Sequence, residues 1–86
     1  MSESAIVEAT CGAVVRILRK ERMRQGISME TLAKKAGLSK GMVSFVEREL
    51  RNPTLNTVMR ISRALKVDLG RVIQKASASA KKARKE

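Results

Sequence analysis

The chain has no histidine, no tryptophan and no tyrosine, and one each of phenylalanine, cysteine and proline among its 86 residues. Each absence removes a class of chemistry. Without histidine, Ser-His-Asp and Cys-His triads cannot be assembled. A single cysteine closes no internal disulfide, and without histidine it makes no zinc site of the usual ligand sets, so no metal is expected. Apolar runs are only a few residues long, so nothing spans a membrane and no membrane partner is expected. The start, with Ser2, Glu3, Ser4 and Glu8, is not the basic-then-apolar pattern of a secretory signal, and the chain reads as cytoplasmic. There are neither paired carboxylates nor a phosphate-cradling glycine loop. An enzyme is therefore not expected, nor is a cofactor. The length leaves no room for a second domain to hold a small-molecule effector.

What is present in excess is positive charge. Nineteen Lys and Arg stand against eight Asp and Glu, a net +11. The tail Lys75–Glu86 holds five cations and one Glu, hence 5 − 1 = +4, leaving 11 − 4 = +7 in residues 1–74. The body is basic in its own right, which favours nucleic acid or an anionic surface. So short a chain buries only roughly 60–65% of the surface of its unfolded form. Doing so with aliphatics and Met favours a compact helical bundle.

No stretch alternates apolar and polar residues for the length of a strand, and the fold class is all-α, with about five helices. The first helix is read over about residues 12–25 from Val14, Ile17 and Leu18, and Gly26 suits a left-handed stop. Ser28 caps the second, with Glu30 near its positive end and Ile27 and Leu32 as a hydrophobic staple. Its inner stripe is Leu32, Ala33 and Ala36, and Gly37 ends it. Ser39 caps a third helix, over about 40–49, whose inward positions are read as Val43, Val46 and Leu50. Two helices joined by Gly37-Leu38-Ser39 have helix-turn-helix geometry. Pro53 keeps Asn52 extended. Thr54 caps a fourth helix carrying Leu55, Val58, Ile61 and Leu65, and Asp68 caps a short fifth with Leu69, Val72 and Ile73. The resulting division is an N-terminal extension over 1–13, a domain over 14–74 and a basic tail over 75–86. The tail has no large apolar anchor and is expected to be disordered or a frayed helix.

From about Val14 to Ile73 these features together resemble the Cro/C1-type, or XRE, helix-turn-helix domains of phage-repressor character. The matching elements, in order, are Arg22, Gly26-Ile27-Ser28, Leu32-Ala33, Ala36-Gly37-Leu38-Ser39, Val43-Ser44 with Val46-Glu47-Arg48, Arg51-Asn52-Pro53-Thr54-Leu55 and Ala64–Leu69. No one of them is specific; their joint order and spacing is. The resemblance implies a lambda-repressor-like fold that binds double-stranded DNA. The sequence departs from the family pattern at Met29, where a phosphate-contacting Gln is common, and at Gly41, where a polar reader is common. It departs again at Glu49, where Gly usually ends the helix, and at Phe45, which is often polar.

A recognition helix presents side chains near its N-terminal end to the major groove. Lys40, Gly41, Ser44 and Phe45 are the candidate base contacts. Lys40 can donate to guanine O6 or N7, Ser44 can pair with a donor or an acceptor, and Phe45 can touch a thymine methyl. The plainer readings are a phosphate contact or solvated charge for Lys40, and packing against the fourth helix or a dimer mate for Phe45. Ser28, Met29, Ser39, Arg48, Arg51, Asn52 and Thr54 are candidate phosphate contacts, which position without reading sequence. Asn52 has the alternative of holding the turn before Pro53. By the resemblance, Arg22 and Glu47 form a structural ion pair; the alternative is two independent surface charges. Cys11 is read as a small apolar residue. Val67, Leu69, Val72 and Ile73 are the candidate dimer surface, the alternative being that Leu69 and Val72 complete a monomer core.

The function implied is that of a sequence-specific transcriptional regulator. It would act as a homodimer on a palindromic operator and be nucleoid-associated when DNA-bound. The competing readings are an adaptor or antitoxin-like module that depends on a protein partner, and an architectural DNA binder of weak specificity.

Overall fold

The computed structural model describes residues 2–50 and 52–84, with side chains through Lys82. Five helices, and no strand among the described residues, follow in order: α1 Glu3–Arg24, α2 Met29–Ala36, α3 Lys40–Glu47, α4 Leu55–Ala64 and α5 Leu69–Arg84.

The three short helices start where side chains can cap them. Ser28 accepts from the Thr31 N–H at 3.0 Å, Ser39 from Met42 at 3.0 Å and Thr54 from Thr57 at 3.1 Å. Asp68 does the same for Gly70 at 2.8 Å. Helices of eight to ten residues are marginal alone, so these caps and the burial of one face decide whether they form. The termini of α1 through α4 all close in one way. A residue at the C-cap (α2) or just past it (α1, α3 and α4) turns left-handed, and the next N–H reaches back to a carbonyl in the last turn. Gly26 and Gly37 take that position after α1 and α2, at φ +71° and +69°. After α3 and α4 it falls to Glu49 and Lys66, at φ +57° and +60°.

The core joins Val14, Val15 and Leu18 of α1 to Leu32 and Ala33 of α2, Val43 and Val46 of α3, Ile61 of α4, Leu65 just past it, and Val72 and Ala76 of α5. Leu32, Leu65 and Val43 are sealed from solvent. No buried side-chain polar atom lacks a partner among the described residues.

Three expectations change. First, the helix read over about 12–25, with residues 1–11 left open, is longer: α1 begins at Glu3 and includes residues 3–11. Second, α5 is not short. It runs past Lys75 to Arg84 and lies along α1 in the most extensive helix pairing of the fold. Alanine explains both changes. It has the highest helix propensity, and its small side chain lets two helices approach closely. Ala76 and Ala80 are buried, as is Ala13 on α1. Third, α3 ends at Glu47, because Glu49 has already left helical φ. Leu50, read as inward, is therefore carried to the surface at 55% exposure.

Candidate nucleic-acid interface

The outer face of α3 follows from its two buried residues. Val43 and Val46, three apart, face the core, so Lys40, Gly41, Met42, Phe45 and Arg48 are left exposed, with Ser44 half-buried. Lys40 and Arg48 make no ion pair among the described residues.

Arg22 and Glu47 hold this helix in place. The Arg22 guanidinium donates through Nε to one Glu47 oxygen at 2.7 Å and through Nη2 to the other at 2.9 Å. Its Nη1 donates to the Ile27 carbonyl at 2.8 Å. The two side chains are only 13% and 9% exposed. One fork thus ties the end of α1 to the end of α3 and to the turn that leads into α2. Such bidentate geometry is stronger and more directional than a single bond, and the hydrogen bonds that Arg22 donates to Glu47 raise its pKa above its ordinary value. The two residues form a buried pair and are not independent surface charges.

Two cations unremarked in the sequence join the rim. Arg19 reaches within 4.0 Å of Glu47, and Arg16 pairs with Glu49 at 2.9 Å, both from the exposed side of α1. Arg19 and Arg48 both line a hollow together with Arg22, Met29, Ser44, Glu47 and Glu49. The clue was positional: Arg19 lies three residues before Arg22 and so shares its helix face.

The candidate phosphate contacts fall at helix starts. Met29 opens α2 half-buried, its side chain packed on the core. The hydroxyls of Ser28 and Thr54 cap their helices and also donate to Thr31 and Thr57, and the Ser39 oxygen is taken by its own cap. What those helix starts offer an anion is therefore the backbone N–H groups of their first two residues, which have no partner within a helix. Asn52 is exposed beside Pro53 and Thr54. Arg51 lies outside the described residues.

The candidate dimer residues separate. Val72 is 6% exposed and belongs to the core, so it is not available to a second subunit. Val67 and Leu69 are half-buried against the same core, and Ile73 is 43% exposed. Leu69 and Ile73 line an apolar groove with Cys11, Val14, Pro53, Leu55 and Val58. Leu55 is 67% exposed there. No helix of the described residues is long and apolar enough to cross a membrane.

This geometry, two short helices about a glycine turn with the second clamped and its outer face free, defines a helix-turn-helix DNA-binding domain. Residues 18–72 match the helix-turn-helix family, and the chain belongs to that family in its Cro/C1-type form. The match groups it with DNA-binding regulators of transcription. Among solved structures it is similar to a tyrosine-to-alanine mutant of the restriction–modification controller protein C.Esp1396I. The identity is 27% and the TM-score 0.71, over 78% of this chain and 87% of that one. No curated protein matches the sequence.

Proposed function

We propose that the chain is a sequence-specific regulator that lays α3 in the major groove of double-stranded DNA and acts as a homodimer on a palindromic operator. The observation that carries this reading is the free outer face of α3 on a helix whose orientation is pinned by the Arg22–Glu47 fork. Lys40 and Ser44 are the hydrogen-bonding readers, and Gly41 lets the backbone approach the bases. Arg48, Arg51, Asn52 and the helix starts at Met29, Lys40 and Leu55 take the phosphates. Arg19 joins them from α1.

The homodimer is assigned to the apolar groove between α1, the start of α4 and α5. Leu55 and Ile73 are the exposed residues that a two-fold copy would cover, with Leu69 beneath them. A two-fold axis there makes the operator symmetric, with half-sites about one helical turn apart. The likeness to a restriction–modification controller supports a regulatory role of this kind.

Selection of bound sites from a random duplex pool at near-physiological salt tests the reading. A palindromic motif with half-sites about one turn apart is the expected result. Binding with no enriched motif, lost steeply as salt rises, would instead identify an architectural binder. Leu55→Glu and Ile73→Glu are expected to convert the dimer to monomer in sedimentation without unfolding it, because both side chains are exposed in the single chain.

A further inference from the structure

The reading face of α3 is unusually apolar for a surface that meets DNA. Met42 and Phe45, three residues apart, share one helix face and are 43% and 51% exposed. They form one wall of a cleft of about 300 Å³ whose other wall is Asn52, Pro53, Thr54 and Thr57. No carboxylate lines it. Its rim carries the start of α4, where the N–H groups of Leu55 and Asn56 precede the first capped donor, Thr57. The cleft thus has an apolar wall beside an anion-attracting rim, and Lys40 lies on the same helix. A second apolar protein surface would have to desolvate that rim. The edge of a DNA major groove supplies phosphates for the rim and thymine C5-methyl groups for the wall.

We infer that Met42 and Phe45 are specificity-determining residues that read thymine by its C5-methyl group. This inference rests on α3 being the recognition helix and names the chemistry that it selects. The major-groove edge of thymine offers one carbonyl oxygen and one methyl, and the methyl is the feature that an apolar side chain can detect. Gly41 carries no side chain, so beside the hydrogen-bonding readers Lys40 and Ser44 two apolar side chains, Met42 and Phe45, make up the rest of the exposed face. Base discrimination shifts accordingly from hydrogen bonding toward methyl burial. Uracil pairs as thymine does and lacks only that methyl, so it isolates the effect.

The test uses the full chain and the duplex motif that it selects. Each thymine is replaced in turn by deoxyuridine, and affinities are compared at one salt concentration. At the one or two positions under Met42 and Phe45, affinity is expected to fall about fourfold per methyl, the equivalent of about 0.8 kcal/mol for one buried carbon. Phe45→Ala and Met42→Ala should each bring the thymine-to-uracil ratio at their own position to about one, while the circular dichroism of the free protein is unchanged. Replacing cytosine by 5-methylcytosine away from those positions should have no effect. Equal affinity for thymine and uracil at every position overturns the inference and leaves the DNA-reading function standing. A selected motif without thymine in the footprint of α3 does the same. Failure to select any duplex sequence overturns the parent reading and this inference with it.

Discussion

The molecule is held together in two different ways at its two ends. Around α2, α3 and α4, helices of eight to ten residues are fixed at both termini by side-chain caps and left-handed closures. One charged fork through Arg22 and Glu47 ties α3 to the end of α1 and to the turn that leads into α2. Along α1 and α5, helices of 22 and 16 residues are held by length and by alanine-lined contact. The difference follows from cooperativity: a short helix cannot offset its nucleation cost from its own hydrogen bonds, whereas a long one approaches doing so. Precision is therefore concentrated where the proposed DNA-reading face lies, and the long pair supplies a frame.

The largest test breaks the fork. Glu47→Leu leaves the Arg22 guanidinium buried without its counter-charge and is expected to cost about 3–5 kcal/mol in urea unfolding. Arg22→Met should cost a similar amount. The double variant should recover much of the loss, and additive, near-zero single effects would refute the pairing. At the other end, Ala76 is fully buried. Ala76→Leu should force α5 away from α1 and destabilise by about 1–3 kcal/mol. A neutral result would mean that the helices there are not in close contact.

Caps sharpen the contrast at smaller scale. Ser39→Ala or Thr54→Ala removes the partner of an N–H in a short helix and should cost about 1 kcal/mol. Ser2→Ala removes the equivalent bond to Ala5, but at the exposed first turn of a long helix, which opens independently of global unfolding, it should be close to neutral. The left-handed closures run the other way. Lys66→Gly relieves an L-residue held at positive φ and should stabilise by about 1 kcal/mol. Glu49→Gly should gain less, since it also removes the Arg16 ion pair, worth about 0–1 kcal/mol.

The smallest effect is a pH dependence. Hydrogen bonds from Arg24, then from Gln25, lower the Glu21 pKa from 4.5 to about 2. A depressed carboxylate stabilises the fold above its unfolded value and loses that contribution as pH falls through its folded value. Stability should therefore decline on this account between about pH 4.5 and 2, and Glu21→Gln should flatten that limb. The same Gln25 amide also donates to the Leu65 carbonyl at 2.8 Å, so the substitution loosens a link from α1 to the end of α4.

Much of the fold was legible because its signals are local. Ser28, Ser39, Thr54 and Asp68 cap where their spacing to the next apolar residue says they should, and Gly26 and Gly37 turn where a left-handed residue is required. Glu49 was legible as a departure from the family pattern and stands at positive φ. Leu50 was misread because helical periodicity was carried past that turn, to the residue just beyond it. The tail was misread because the absence of large apolar residues was taken as the absence of a partner. Alanine at 76 and 80 packs by being small, and this is visible only once α1 lies opposite. Met42 and Arg19 were not among the candidate residues, since which face of a helix is free depends on which face is buried.

By itself, the sequence determined what local chemistry can determine. It excluded histidine-, disulfide- and zinc-based chemistry, gave an all-helical chain with its starts and stops, and set a basic charge and the helix-turn-helix spacing. Only the tertiary structure decided which side chains meet. It closed the Arg22–Glu47 fork across 25 residues, withdrew Val72 into the core, and left Met42 and Phe45 together on the open face of α3. The physical reason is that caps and turns are settled within four or five residues, whereas burial is settled between helices distant in sequence.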